Sequence, residues 1–136
     1  MRFTFAYVGI QVRDLDRSVR FYHELLGMVV RRREKVPETG GEWAELMSPD
    51  SPLLLELNWY PEGSEHFAGP YRRGNELDHL AFHCEDADAS YRELLANGAK
   101  PALAPFTESD SRLAFVQDPD GIGIELSSQA GTHPQS

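Results

Sequence analysis

Three side chains able to hold a cation or move a proton stand in similar settings along this sequence. They are Glu56 in Leu55-Glu56-Leu57, Glu125 in Ile124-Glu125-Leu126, and His79 in Asp78-His79-Leu80-Ala81-Phe82. Each Glu lies between apolar neighbours. In a strand, where side chains alternate between two faces, its carboxylate therefore points away from the packed side. A carboxylate drawn inward without a partner is costly and is usually neutralised. A divalent cation is the simplest partner for two carboxylates and an imidazole, and that mixed oxygen and nitrogen set suits Zn, Ni, Co, Mn or Fe(II) without choosing among them. Taken singly, the same residues read more plainly as a solvated or salt-bridged Glu and a hydrogen-bonded His. Their matched placement is what favours a joint site.

That placement follows from a repeat. Val8 to Val12 alternates as a half-buried strand, with Tyr7, Gly9 and Gln11 on one face. Asp14 is suited to cap a helix whose apolar stripe is Leu15, Val19, Tyr22 and Leu26, and Gly27 suits its left-handed stop. Extended runs follow over Met28 to Arg33, Trp43 to Met47 and, after the turn residues Pro49 to Pro52, Leu53 to Trp59. Beyond a polar connector the order recurs: strand His79 to Cys84, cap Asp86, stripe Tyr91, Leu94 and Leu95, stop Gly98. The spacing between equivalents drifts from 72 (Tyr7 to His79, Asp14 to Asp86) through 71 (Gly27 to Gly98) and 70 (Pro49 to Pro119) to 69 (Glu56 to Glu125). The reading is one domain over residues 1–136, made of module 1 (about 5–60) and module 2 (about 77–128) joined by connector 61–76. Each module is too small to bury a sheet alone.

Composition narrows the partners. The chain has 13 Lys and Arg against 22 Asp and Glu, a net charge of -9. This excludes a general attraction to nucleic-acid phosphates. No apolar run approaches the ~20 residues of a membrane span, no signal pattern opens the chain, and the lone Cys84 permits no internal disulfide. A soluble cytoplasmic protein is expected, with no nucleic-acid or membrane partner. Cys84 alternates toward the packed face, as an inert thiol.

The chain resembles the vicinal oxygen chelate superfamily, the group of glyoxalase I, bleomycin-resistance proteins and extradiol dioxygenases. The resemblance lies in Val8-Gly9-Ile10-Gln11-Val12-Arg13-Asp14-Leu15-Asp16-Arg17-Ser18 running into Phe21-Tyr22 and Leu25-Leu26-Gly27-Met28, then Asp78-His79-Leu80-Ala81-Phe82. It continues through Ala114-Phe115-Val116-Gln117-Asp118-Pro119-Asp120-Gly121 into Ile124-Glu125-Leu126. It implies an α+β fold of two βαβββ modules forming a U-shaped, cleft-lining mixed sheet, and a homodimer. Glyoxalase I-like members hold metal with four ligands, which fall here on Tyr7, Glu56, His79 and Glu125. Tyr7 stands where a His is expected. The Arg and Asn with which such enzymes grip glutathione are replaced by Gln11 and Tyr60, with Asn58 close by. The chemistry implied is chelation of vicinal oxygens on a Lewis-acidic cation, with Glu125 or Glu56 shuttling a proton, as in hemithioacetal isomerisation.

The leading expectation is a metal-dependent glyoxalase I-like lyase or isomerase acting on a small oxygen-chelating substrate, lactoylglutathione lyase-like in its chemistry. A metal-free, ligand-sequestering protein of the bleomycin-resistance type is the alternative, and an extradiol dioxygenase the third. Gln11 and His83 line one face and would either orient a substrate oxygen or serve structure alone, and Asn58 is a further substrate-binding candidate. Arg72 and Arg73 would clamp an anionic group or stand solvated. Trp59, Tyr60 and Phe67 would wall the ligand or pack internally. The polar Phe106 to Arg112 segment reads as a lid or a surface loop.

Overall fold

A computed structural model of the chain describes residues 1–64 and 71–132; Phe67 lies outside them. The chain divides into two compact units, Met1–Arg72 and Arg73–Ser136. Unit 1 runs β1 (Val8–Gln11), α1 (Leu15–Arg20), β2 (Val29–Val36), β3 (Gly41–Met47) and β4 (Leu55–Trp59). Unit 2 runs β5 (His79–His83), α2 (Ala87–Ala96), β6 (Lys100–Glu108), β7 (Ser111–Gln117) and β8 (Gly123–Gln129). Each is a βαβββ unit with a four-stranded mixed sheet, ordered β1-β4-β3-β2 and β5-β8-β7-β6. In each, the first and last strands pair in parallel while the other neighbours are antiparallel.

Local chemistry sets the helices. The Asp14 and Asp86 carboxylates accept from the Arg17 and Ala89 N–H groups at 3.0 Å, capping two otherwise unpaired helix starts. Gly27 and Gly98 end the helices with φ of 72° and 98°. One face of each sheet carries the core: Ile10, Leu57, Ala44 and Leu46 in unit 1, and Ala114, Val116, Ile124 and Leu126 in unit 2, all buried. Each large side chain so buried contributes about 1.5–3 kcal/mol. An Asp in the first turn of each helix is tied to its sheet by an arginine. Asp16 meets Arg33 at 2.7 Å, and Asp88 meets Arg112 through two bonds of 2.8 and 3.0 Å. Asp88 and Asp16 are repeat equivalents, but the arginines come from different strands.

The register explains the drift in the repeat. After α1 the chain passes through a π turn, Phe21–Leu25, which α2 lacks. Such a turn inserts one residue into a helix, and the spacing falls from 72 to 71. Strand β6 has two bulges against one in β2, which restores 72 at Val36 and Glu108. The β2–β3 loop has the four residues 37–40 where the β6–β7 loop has only Ser109 and Asp110, giving 70 at Gly41 and Ser111. Eight residues separate the paired Leu46 and Leu55, and seven the paired Val116 and Ile124, leaving 69. Gly9 therefore faces Glu56 as Ala81 faces Glu125, and Gln11 faces Asn58 as His83 faces Ser127.

Two expectations are corrected. The Phe106 to Arg112 segment is a hairpin rather than a lid or loop, with Phe106 facing Leu113 and Glu108 facing Ser111 across a turn in which Ser109 has φ of 54°. Phe and Thr suit a pleated surface despite the polar surroundings. Strand β4 begins at Leu55, and Leu53 is exposed outside it. Ahead of β8, the buried Asp118 carboxylate accepts from the Asp120 and Ile122 N–H groups, both at 2.8 Å. Asp118→Ala leaves these buried donors unpaired, and chemical denaturation is expected to read a loss of about 2 kcal/mol.

Candidate functional site

Unit 2 brings His79 and Glu125 together. His79 opens β5 opposite Gly123, and Glu125 lies diagonally across on β8. His79 Nε2 stands 3.6 Å from Glu125 Oε1. A Cβ on Gly123 would lie 3.3 Å from His79 Cβ and 3.2 Å from the Asp78 carbonyl oxygen, so the missing side chain lets the two strands approach. On the other side of the ring, Nδ1 lies 2.6 Å from Asp78 Oδ1. In the neutral imidazole Nδ1–H donates there and the Nε2 lone pair turns toward Glu125. Phe115, which faces Glu125 from β7, meets the ring edge-on with centroids 5.4 Å apart. The His79 and Glu125 side chains are 33% and 19% exposed, which leaves both reachable by a small molecule.

The 3.6 Å gap is too long for an N–H···O bond. Two donors held about 2.1 Å from one tetrahedral ion stand roughly 3.4 Å apart. An imidazole nitrogen and a carboxylate oxygen at that spacing fit a first-row divalent cation.

Unit 1 brings Tyr7, Glu56 and Asn58 around Gly9. The position a Gly9 Cβ would take is 3.2 Å from Asn58 Nδ2, 3.9 Å from the Tyr7 ring and 4.0 Å from Glu56 Oε1. Glycine thus opens a small hollow between a phenol and a carboxylate. The Asn58 amide donates to the Ile10 and Glu56 carbonyls at 3.4 Å. Tyr60 joins this group. Burial first, then the charge of Glu56 and the proximity of Tyr7, raise its phenol above the ordinary value of 10.0. Glu45 faces Glu56 from β3 and pairs with Arg31 at 3.7 Å.

The four positions expected to hold metal thus divide into two pairs, Tyr7 with Glu56 and His79 with Glu125. No group of three or more His, Cys, Asp or Glu side chains set to hold a metal ion occurs among the described residues. Gln11 and His83 are exposed at equivalent ends of β1 and β5. Trp59 alternates onto the helix-covered face, opposite Glu56. Trp43, which faces Asn58 from β3, is the indole on the open face, with Arg32 over its ring at 5.4 Å. Arg72 and Arg73 are both exposed, and the Arg73 guanidinium lies against the Gly121 turn. Cys84 is half-buried, its thiol 3.7 Å from the Ser127 carbonyl oxygen. Asp78 and Phe115 were given no role by sequence reasoning. Adjacency to His79 was a signal for Asp78, and the repeat, which pairs Phe115 with Glu45, was one for Phe115.

The Glyoxalase/Bleomycin resistance protein/Dioxygenase superfamily model matches residues 4–126. The chain belongs to that superfamily. It is 32% identical over 123 residues to lactoylglutathione lyase of Haemophilus influenzae, covering 86% of each protein. It is 33% identical over 135 residues to a putative lactoylglutathione lyase of Brassica oleracea, covering 96% of the chain but 46% of that protein. Among solved structures it is similar to the trypanothione-dependent glyoxalase I of Leishmania major, with TM-score 0.76, 32% identity, and 93% and 87% of the two chains covered. Glyoxalase I of Zea mays gives TM-score 0.77 at 27% identity, with 92% of this chain and 44% of that one covered. The shared fold is thus the glyoxalase-like arrangement of βαβββ units. No helix among the described residues is long and apolar enough to cross a membrane.

The Tyr60 shift provides a check on the unit 1 cluster. Glu56→Gln removes the charge that opposes phenolate formation, so the Tyr60 pKa is expected to fall while the burial contribution keeps it above 10.0. The difference in phenolate absorbance between Glu56→Gln and its Tyr60→Phe double variant, followed through alkaline pH, isolates this tyrosine. An unmoved titration would remove Glu56 from its surroundings.

Proposed function

We propose that this protein is a metal-dependent lyase or isomerase of glyoxalase I type, acting on a small substrate with vicinal oxygens. The observation that carries the reading is the 3.6 Å approach of His79 Nε2 to Glu125 Oε1, with Asp78 holding the opposite ring nitrogen. His79 and Glu125 are the proposed metal ligands of unit 2. Glu56, the repeat equivalent of Glu125, is the further carboxylate the sequence nominates, with Tyr7 beside it. When bound, a divalent cation supplies Lewis acidity to the two substrate oxygens.

The chain's own residues do the rest. Asp78 fixes the His79 ring and its tautomer. Glu125 takes the proton from the substrate carbon that bears the hydroxyl and returns it to the neighbouring carbonyl carbon. For a hemithioacetal, the hydroxyl proton passes to the other oxygen, and the product is an α-hydroxy thioester with no atoms gained or lost. His83, at the far end of the strand that His79 opens, orients a substrate oxygen. The homodimer implied by the family is expected in sedimentation as twice the chain mass of 15.3 kDa.

Metal content after repletion and dialysis tests the reading. The wild type is expected to retain a divalent metal. His79→Ala and Glu125→Ala should each weaken retention by more than about 100-fold, beyond the usual effect of losing an outer-shell partner. Glu125→Gln is expected to lower turnover of α-ketoaldehyde hemithioacetals by about 10²–10⁴. A wild type that takes up no metal overturns the lyase reading in favour of metal-free ligand sequestration. Retention unchanged in both alanine variants overturns the ligand assignment.

A further inference from the structure

Ahead of β1, residues 1–7 lie outside every strand and helix and carry Phe3 at 86%, Phe5 at 84% and Tyr7 at 48% exposure. The parallel ladder opens at Val8 opposite Leu55, and three residues earlier the same register sets Phe5 against Pro52, which has no N–H to donate. The ladder that holds β1 thus does not continue into the segment. Phe3, Phe5 and Tyr7 nevertheless keep the period-two pattern of a strand with one apolar face.

A solvated segment is polar and poor in aromatics. This one has three aromatics in seven residues, in a chain that is 10% aromatic. At about 200 Å² for each aromatic side chain, the exposed fractions leave roughly 400 Å² uncovered. Apolar patches of that size on a soluble protein mark interaction surfaces. A stable interface removes about 800 Å² from each partner. In a twofold exchange each copy gives one segment and receives another, so about 400 Å² is covered on the segment and a like area on its seat. The aromatic surface therefore matches reciprocal docking of two copies. Charge agrees, since Arg2 is the one charged residue of the segment and the chain's net charge is -9. An anionic membrane would meet a single cation on a strongly acidic body, short of the basic cluster such binding needs.

We propose that residues 1–7 are a dimerisation segment, with Phe3 and Phe5 seated on a second copy of the chain and the exchange reciprocated about a twofold axis. The two phenylalanines of each copy are the anchors of the interface. The family resemblance implies a homodimer without saying which surface makes it, and this segment is that surface.

Sedimentation equilibrium of the full chain over a range of concentrations, with isotope-filtered NOE spectra of a mixed labelled and unlabelled sample, tests this. The wild type is expected at twice 15.3 kDa, with NOEs from the Phe3 and Phe5 ring protons to the other copy. Phe3→Ser combined with Phe5→Ser should weaken dimerisation about 100-fold or more, at least tenfold for each position. The far-UV circular dichroism of this variant should be unchanged, because the segment lies outside the folded elements. Leu103→Ser removes an apolar side chain of β6 that is 51% exposed and should leave dimerisation unchanged. A monomeric wild type, including one that binds phosphatidylserine vesicles, overturns the proposal. So do a dimer equally tight in the double variant, equal weakening by Leu103→Ser, and ring NOEs confined to one copy. None of these measurements involves metal or substrate, so failure of the lyase reading and failure of this surface are separately visible.

Discussion

The parallel pairing of the first and last strands in each unit is the constraint on which the candidate site depends. A parallel ladder needs a crossover between its strands, here a helix and two further strands of the same sheet, and the helix covers one face. The other face stays open. Once β5 and β8 are locked in register, period-two alternation leaves no freedom: Ile124 and Leu126 go under the helix and Glu125 goes to the open side. A slip of one residue would bury the carboxylate and expose two core residues. The apolar contacts that stabilise the unit therefore also aim its chemistry.

Much of this was legible in the chain itself. The Asp caps, the glycine stops, the placement of Glu56 and Glu125 between apolar neighbours, and the drift of the repeat all follow from local rules. Each step of the drift has a local cause: a π turn, a bulge, a hairpin loop and a strand connection. Local rules reach no further than the strands they describe. Alternation with Leu55 and Leu57 puts Trp59 on the helix-covered face, but that Trp43 stands opposite Asn58 on the open face depends on the β3–β4 register. Similarly, the polar residues around Phe106 hid a hairpin whose stability comes from pairing across the turn.

Asp78 shows a different limit. Its carboxylate is 91% exposed, so composition and burial both mark it as surface. It matters because β5 starts at the next residue, which places the His79 ring within 2.6 Å of it. The role of such a residue comes from geometry between sequence neighbours, which hydrophobic patterning does not carry.

The two units keep one backbone plan and differ in the chemistry of their open faces. At the first position of the pair, unit 1 has a phenol and unit 2 an imidazole. In the row containing the carboxylate, unit 1 sets Glu45 opposite Glu56, where unit 2 sets Phe115 opposite Glu125. Two carboxylates facing each other across a ladder repel, and the Glu45 one has Arg31 3.7 Å away as its counter-charge. An aromatic edge beside Glu125 brings no such repulsion and leaves that carboxylate free to pair with His79. Divergence within the repeat therefore sets an imidazole beside the carboxylate in unit 2 and a phenol beside it in unit 1. Unit 1 supplies a carboxylate flanked by phenols.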